Sequence, residues 1–289
     1  HPAGEYYFFV LEDTLKNQVV GTSAIEALTG YTYPFFSYAL SQITQNCGPL
    51  NVHNQYRTLT PSYDNQDKSE LCTLFLDPSA RHNHNGLLLS RARLLFMAEH
   101  PQRFASAVIA ELRGFINKEG LSPFWEGVGK HFFHIPLSEA ELLTMISNKQ
   151  FIIDLLPQLP ICVNLLSTAA QNAIGKPNTN SLPAMHILRK EGFRFNNTID
   201  IFDGGPTFEA PFSQIRTIHQ SQRVTIDQLS HHKEPHYLNT YYIANTHMAF
   251  RATIDSIDID PTHHHCVIKK QTAELLQVNQ GDQLRVIPL

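Results

Sequence analysis

A chain of 289 residues, 42% of them hydrophobic and 17% charged, is long enough for one large domain or two ordinary ones. Its formal net charge of -4 and scattered Lys and Arg residues exclude a strongly basic nucleic-acid-binding surface, and no stretch approaches a membrane-spanning run of apolar residues. The four cysteines form no C-x-x-C pair, so we expect a cytoplasmic protein with reduced thiols. From the charge and the lack of long apolar runs, we expect neither nucleic acid nor membrane as a partner.

The chain opens with a predicted β-hairpin. Residues 6–12 and 18–26 are rich in aromatic and β-branched residues and flank a polar turn. Residues 27–68 are rich in Tyr, Pro, Asn and Gln and show no helical period. We expect an irregular excursion with short strands over this second range.

A strand, a loop and a helix follow. Residues 69–76 predict a buried strand, and residues 85–98 predict a helix with its apolar side chains on one face. The loop between them leaves backbone N–H groups unpaired at a helix N-terminus, which is typical of a phosphate or pyrophosphate site. An ordinary capped turn is the alternative. The candidate cofactor-binding residues are Leu74, Phe75, Leu76, Arg81, His82, Asn83, His84, Asn85, Gly86 and Leu87.

The next region alternates strands and helices. A strand is predicted over 107–114, and a short helix is predicted to begin at Ser122-Pro123 and to stop at Gly129. Residues 138–172 are predicted to be helical.

A second helix that ends at a Gly-Phe pair follows. It runs from near Pro183 to Gly192 and leads into a strand over 198–202 and a tight turn over 203–207. Two such helix-Gly-Phe units have two interpretations. Either the chain contains a degenerate duplication of one structural unit, or two unrelated helices happen to end in the same way.

The fold class predicted from this order is α/β (α+β). Residues 1–211 are expected to form a mixed sheet with flanking helices, and residues 212–289 a small β-rich module. The C-terminal elements expected are strands over 238–244, 248–255, 265–269 and 283–288 and a helix over 271–278.

Two resemblances make the function more specific. The loop resembles the acyl-CoA signature V-x-P-x-x-R-x-x-G-x-G of the GCN5-related N-acyltransferases, with His84 at its first glycine. Taken together, several strings in order resemble the bacterial arginine N-succinyltransferases. They are SELCTLFLDP at 69–78, AELRG at 110–114, SPFW at 122–125, EGF at 191–193 and IDIFDGGPT at 199–207.

The resemblance implies transfer of a succinyl group from succinyl-CoA to the α-amino group of L-arginine, in arginine catabolism. It implies that Leu74 contacts succinyl-CoA, and that Asn178 stands where the family has a histidine proton donor. It also implies an acyl-CoA N-acyltransferase fold whose first strand and helix precede residue 1. Either a homodimer or a paired-subunit heterodimer is expected.

The chemistry adds further candidates. The attacking amine must lose a proton, and Glu70 or Glu111 could accept it, although either could instead be a structural carboxylate paired with a neighbour. Because Asn exchanges no proton near neutral pH, Asn178 leaves the acid role open. The substrate-binding candidates are Arg113, Ser122, Trp125 and Asn180.

No metal is expected, since the histidine clusters, including His231, His232 and His236, lack a zinc-like spacing. Two other functions stay open. One is a degenerate acyl-CoA-binding subunit without turnover, and the other is an N-acyltransferase for another amine, such as ornithine.

Overall fold

The computed structural model describes residues 4–146, 149–230, 239–260 and 262–289. By their packing the residues group into two compact units, neither of which is continuous in sequence. Unit 1 comprises His1–Ala27, Leu71–Ser106 and Pro211–Leu289, and unit 2 comprises Leu28–Glu70 and Ala107–Ala210. The division at residues 211 and 212 stays a prediction.

The strands are β1 (Tyr6–Asp13), β2 (Gln18–Glu26), β3 (Ser37–Cys47), β4 (Val52–Ser62), β5 (Ser69–Leu76), β6 (Ala107–Glu111), β7 (Ile161–Cys162), β8 (Arg194–Asp200), β9 (Pro206–Pro211), β10 (Gln222–Ser230), β11 (Thr240–Asn245), β12 (Ala252–Ser256), β13 (Asp258–Asp260), β14 (His265–Lys269) and β15 (Gln283–Pro288). The α-helices are α1 (Asn85–Glu99), α2 (Pro123–Gly127), α3 (Gly129–Phe133), α4 (Leu137–Ile146), α5 (Gln150–Leu155), α6 (Thr168–Ala173), α7 (Leu182–Lys190), α8 (Arg216–Gln220) and α9 (Lys270–Leu276). None of the helices in the described ranges is long and apolar enough to cross a membrane.

Unit 1 contains the N-terminal hairpin, the helix α1 and a C-terminal sheet. β1 and β2 pair antiparallel, which confirms the predicted hairpin, and β2 lies beside β5. Phe96 of α1 packs against the rings of Tyr7, Phe9, Phe104 and Phe250. The C-terminal strands form a six-stranded sheet in the order β12-β11-β15-β10-β14-β13, so the predicted β-rich module is confirmed.

Unit 2 is built on a mixed sheet in the order β5-β6-β9-β8-β3-β4-β7, to which β5 contributes its first two residues. β5 and β6 run parallel, with Ser69 opposite Val108 and Glu70 opposite Ile109. The core beside this sheet includes Trp125, which is fully buried. With both sheets mixed and helices beside them, the predicted α/β class is confirmed.

The prediction of an irregular excursion over 27–68 was wrong. β3 and β4 are strands of 11 residues each, paired in continuous register from Ser37 and Ser62 to Cys47 and Val52. The half of this hairpin nearest its turn is mostly exposed. Its Gln, Asn and Thr residues therefore do not show the alternation of a half-buried strand.

Two helix predictions also need correction. The range 138–172 is divided among α4, α5 and α6, with β7 between them, because Pro157 and Pro160 interrupt the helix. Residues 147 and 148 lie outside the described ranges. Gly129 begins α3 rather than ending α2, and a Cβ there would lie 2.2 Å from Cε3 of Trp125. That glycine is therefore required by packing.

Candidate active site

The predicted cofactor loop lies in unit 1 and is held by its own side chains. Asp77 accepts hydrogen bonds at Oδ1 from the Ser79 amide at 2.8 Å and from the Ser79 hydroxyl at 2.5 Å. Arg81 Nε donates to the Leu76 carbonyl at 3.1 Å, and Asn85 Nδ2 donates to the Ala80 carbonyl at 3.0 Å. Arg81 and Asn85, both predicted to bind the cofactor, thus use these side-chain atoms to shape the loop.

The backbone amides at the start of α1 differ in their hydrogen-bond partners. The Asn85 and Leu88 amides donate within the loop and helix, to His82 and His84 respectively. The amides of Gly86 and Leu87 have no hydrogen-bond partner in the described part of the chain. Unpaired amides at a helix N-terminus attract phosphate oxygens.

His84 occupies a backbone conformation that favours glycine. Its φ is +62°, and that of Asn83 before it is +48°. Asn and His are among the residues that enter this left-handed region most readily. The structure therefore explains how a histidine can replace the first glycine of the signature while the loop keeps its path. The side chains of His82, Asn83 and His84 are exposed.

The strand before this loop carries an irregular residue. Thr73 has a φ of +49°, an uncommon conformation for a β-branched residue. Its carbonyl accepts a hydrogen bond from Thr22 Oγ1 at 3.2 Å, and its hydroxyl lies 3.0 Å from that of Tyr6. Leu74 and Phe75, which follow, are 37% and 57% exposed, so both can meet a ligand.

Unit 2 contains a cavity of about 440 Å³ with acidic walls. Glu111 reaches it from the end of β6, and Asp200 and Asp203 reach it from the end of β8 and the turn that follows. The other lining residues are Pro34, Phe35, Phe36, Leu112, Arg113, Glu141, Thr144, Met145, Lys149, Ile152, Ile201 and Phe202.

Each carboxylate in this cavity has a defined partner. Asp200 Oδ1 accepts hydrogen bonds from the Phe202 and Asp203 amides, each at 2.8 Å. Asp203 Oδ1 accepts from the Gly205 amide at 2.9 Å, and its Oδ2 lies 3.5 Å from Arg113 Nε. Since most of these partners are backbone amides, the carboxylate oxygens of Asp200 and Asp203 are held rigidly.

Arg113 and Glu111 complete the polar wall. Arg113 Nη1 lies 2.5 Å from Glu141 Oε1 of α4, so its guanidinium bridges Glu141 and Asp203. Glu111 Oε1 accepts a hydrogen bond from Thr207 Oγ1 at 3.3 Å. The cavity is lined by four acidic side chains, those of Glu111, Glu141, Asp200 and Asp203, and by two cationic ones, those of Arg113 and Lys149, so acidic groups are in excess.

The electrostatics of the cavity shift two carboxylic acids. Burial raises the pKa of Glu111 well above its ordinary value, and the charges of Asp200, Glu70 and Asp203 add to this. Burial and the charge of Asp203 raise the pKa of Asp200 to about 7. Carboxylic acids whose pKa values are raised by burial are candidates for proton exchange.

Two glycine turns lock these groups in place. A Cβ on Gly205 would lie 1.9 Å from the Leu112 carbonyl oxygen, and one on Gly114 would lie 2.2 Å from the Asp203 carbonyl oxygen. The strings AELRG and IDIFDGGPT therefore interlock, and their glycines permit the close approach of one turn to the other.

Ser122 and Trp125, both predicted to bind substrate, have structural partners. Ser122 is buried, and its Oγ accepts a hydrogen bond from the Trp125 amide at 3.1 Å. Trp125 is also buried, and its indole donates to the Ile135 carbonyl at 3.0 Å. The Trp125 ring stacks on Phe202, a lining residue of the acidic cavity. It therefore supports the cavity wall from behind.

Asn178 and Asn180 lie beside Arg113 in unit 2. The Asn178 amide donates to the Arg113 carbonyl at 2.7 Å, and its Oδ1 accepts from the Asn180 amide at 2.9 Å. Glu70, which was predicted with Glu111 as a general base, lies in β5 opposite Ile109 of β6, and its charge raises the pKa of Glu111. The structure thus groups Glu70, Glu111 and Arg113, whereas the cofactor loop belongs to the other unit.

Asp200, Asp203 and Glu141 were missed as site residues by the sequence analysis. The first two stand in the string IDIFDGGPT, and two acids three residues apart around a turn are a signal that could have found them. Glu141 carries no such signal.

Among the described residues, no group of three or more His, Cys, Asp or Glu has a metal-binding arrangement. The histidines at 231, 232 and 236 lie outside these residues.

Family models and relatives agree on the class. The family described as "Arginine N-succinyltransferase beta subunit" matches residues 1–217, and the model for the C-terminal domain of the same beta subunit matches residues 222–288. The arginine N-succinyltransferase of Enterobacter sp. (strain 638) is 40% identical over 284 residues, which cover 98% of this chain and 81% of the relative. That of Photorhabdus laumondii is 37% identical over 287 residues, covering 99% and 83%.

A solved structure agrees as well. The chain is similar to the arginine/ornithine succinyltransferase subunit AI from Pseudomonas aeruginosa, with a TM-score of 0.85 and 34% identity over 99% of this chain and 82% of that one. Fold, site and relatives together define a CoA-dependent acyltransferase. The chain belongs to the arginine N-succinyltransferase family, and the predicted family is confirmed.

Proposed function

We propose that this chain transfers the succinyl group of succinyl-CoA to the α-amino group of L-arginine. The observation that carries the proposal is the cavity where Glu111, Asp200 and Asp203 converge, in a chain of this family. A guanidinium pairs best with carboxylates, because two parallel N–H···O bonds can form. A cavity with several carboxylates therefore suits arginine better than a neutral amine.

Asp200 and Asp203 hold the guanidinium in this proposal. Both are fixed by backbone amides, so they need little rearrangement when the substrate arrives. The Arg113 side chain is 60% exposed, and we assign its guanidinium to the α-carboxylate of the substrate. Arg113 is thus assigned to substrate binding, as the sequence analysis predicted.

Glu111 is assigned the role of general base. Burial raises the pKa of Glu111, and the charge of Glu70 adds to this, which makes the carboxylate a stronger base toward the attacking ammonium. The free amine then attacks the thioester carbon, the C–N bond forms, and the C–S bond breaks. The CoA thiolate leaves with a pKa of about 8.5, so it needs only modest help from an acid.

The acyl donor is assigned to the strand–loop–helix of unit 1. The amides of Gly86 and Leu87 would bind the pyrophosphate of CoA, and Leu74, Phe75 and Leu76 would line the acyl arm. Backbone amides of the same strand could stabilise the thioester oxyanion. Succinyl-CoA is the donor that the family implies.

Thiol release from succinyl-CoA tests the proposal. We expect release that saturates with L-arginine and is much slower with acetyl-CoA or with uncharged amines. The relative from Pseudomonas aeruginosa is named for ornithine as well as arginine, so L-ornithine belongs in the same panel. Binding of CoA without any amine-dependent release would support the non-catalytic alternative instead.

Three further features are part of the proposal. We place the chain in the cytoplasm, because its scattered cysteines suit a reducing compartment and no helix in the described ranges could span a membrane. We assign the acyl-CoA N-acyltransferase fold, since the loop and α1 resemble its signature. We also propose a homodimer or paired subunits, which light scattering after gel filtration would distinguish from a monomer.

A further inference from the structure

Helix α1 buries the guanidinium of Arg93. Arg93 is 2% exposed, and in the described part of the chain no Asp or Glu forms an ion pair with it. Burial lowers its pKa to about 10, so the guanidinium remains charged near neutral pH. A buried charge is costly unless hydrogen bonds compensate for it, so the partners of this group are informative.

Those partners lie on three elements of unit 1. Arg93 Nη1 donates to the Cys72 carbonyl of β5 at 3.3 Å and approaches the Ala24 carbonyl of β2 at 3.5 Å. Nη2 and Nε bond to the hydroxyl and carbonyl of Ser90 on the same helix. The guanidinium therefore ties α1 to two neighbouring strands through main-chain atoms.

The Cys72 carbonyl has a special position in β5. It belongs to the peptide that enters Thr73, whose φ is +49°. Because a trans peptide is planar, fixing its C=O also fixes the opposite direction of its N–H. Thr22 then holds the next carbonyl, that of Thr73, at 3.2 Å. Two consecutive peptide planes are thus oriented just before Leu74, Phe75 and Leu76.

We propose that Arg93 is a positioning residue for the acyl-CoA thioester. It holds the Cys72 carbonyl in place, and this fixes the direction in which the following main-chain amides point. This rests on the proposed function in one respect, namely that Leu74–Leu76 meet the acyl arm. Arg93 itself touches no substrate, because it is buried behind the strand.

The test compares the affinities of the chain for succinyl-CoA and for CoA, which lacks the thioester. Equilibrium dialysis without arginine gives both dissociation constants for the unaltered chain, Arg93→Met, Arg93→Lys and Thr22→Val. Their ratio does not depend on the fraction of folded protein, since misfolding weakens both affinities equally. We expect at least a fivefold preference for succinyl-CoA in the unaltered chain and its loss in Arg93→Met, with a partial return in Arg93→Lys.

Arg91→Met is the matched control. Arg91 is buried on the same helix, but its guanidinium stacks on the ring of Tyr242, 4.7 Å from the centroid. This variant should lose thermal stability and keep the preference. Thr22→Val removes the partly buried hydroxyl that holds the next carbonyl, that of Thr73, and should also reduce the preference. If Arg93→Met does not fold, Arg93→Lys decides the question.

An unchanged preference in folded Arg93→Met, or in Arg93→Lys, would overturn the proposal. An unaltered chain that binds both ligands equally would overturn it as well. The proposed function is judged separately, by arginine-dependent thiol release. An unaltered chain that prefers succinyl-CoA but releases no thiol, together with loss of that preference in Arg93→Met, would contradict the function and support the role of Arg93.

Discussion

Glu111 and Asp200 face the same cavity of unit 2, and burial together with the Asp200 charge raises the pKa of Glu111. The two acids are therefore coupled, so a ligand that binds to one changes the proton affinity of the other. A bound guanidinium would favour the charged form of both. Substrate binding should consequently release protons, and this makes the cavity testable by pH.

The first prediction concerns the affinity for arginine. Because the pKa of Asp200 is about 7, this group is mostly protonated below that pH and can no longer pair with a cation. L-Arginine keeps its own charge between pH 5 and 7, so only the protein titrates. Calorimetry should show binding that weakens by about fivefold or more from pH 7 to pH 5.5, and Asp200→Asn should flatten this dependence. Affinity that does not vary with pH would count against the assignment.

Glu111→Gln tests the general base. The amide keeps the size of the side chain and its bond to Thr207 but cannot accept a proton, so kcat should fall by about 100-fold or more. The ascending limb of the pH–rate profile should also disappear. Glu119→Gln is the matched control, because Glu119 is exposed elsewhere in the same unit, and its kcat should not change. A loss of less than threefold for Glu111→Gln would assign the base elsewhere.

Asp200→Asn should stabilise the protein at high pH. The pKa of Asp200 is raised from 3.8 to about 7, so the folded state binds more protons than the unfolded state between these values. Stability therefore falls as pH rises from about 4 to 7, and the variant avoids this loss. Its Asn Oδ1 can still accept the two backbone hydrogen bonds. We expect a gain of about 1 kcal/mol or more, some 2–4 °C in Tm, at pH 8 and none at pH 4. Equal shifts at both values would argue against a titrating group.

Asn178→Ala separates a structural role from a catalytic one. Asn178 Oδ1 accepts the Asn180 amide, so its loss should reduce stability by about 1 kcal/mol, as for a lost cap. The thiolate leaves without strong acid assistance, so kcat should stay within about threefold. Denaturation curves and initial rates measure the two effects. A large fall in kcat in a folded variant would restore a direct role for this position.

His84→Gly should be neutral or stabilising. With a φ of +62°, histidine bears strain of about 1 kcal/mol that glycine avoids, partly offset by the greater freedom of glycine in the unfolded chain. The KM for succinyl-CoA should change by less than about twofold, because backbone amides form the anion site. His84→Val should instead destabilise, since β-branched residues tolerate this conformation poorly. If His84→Gly raised the KM strongly, the imidazole itself would be a ligand.

The sequence predicted the local elements well where one pattern controlled them. The strand that ends at Leu76 and the helix that begins at Asn85 are set by short-range apolar spacing and by glycine or proline. The turn predicted over 203–207 begins earlier, because β8 ends at Asp200 and β9 begins at Pro206. The long hairpin of β3 and β4 was missed, because its exposed residues have no buried face to impose alternation.

Only part of the candidate site could be predicted from the sequence, because its residues come from elements that are far apart along the chain. Glu111 and Arg113 stand out in the sequence because they end a strand inside a recognisable string. Their partners Asp203 and Glu141 come from elements 90 and 28 residues further along the chain, counted from Arg113. Only the folded sheet brings them together. The burial that raises the pKa of Glu111 is likewise a property of the fold.

The most direct test follows thiol release and product mass together, with succinyl-CoA and L-arginine supplied to the unaltered chain and to Glu111→Gln. We expect one N-succinylarginine formed for each CoA released, no release without arginine, and a loss of about 100-fold or more in the variant. Release that proceeds equally without arginine, or a Glu111→Gln variant as active as the unaltered chain, would contradict this expectation.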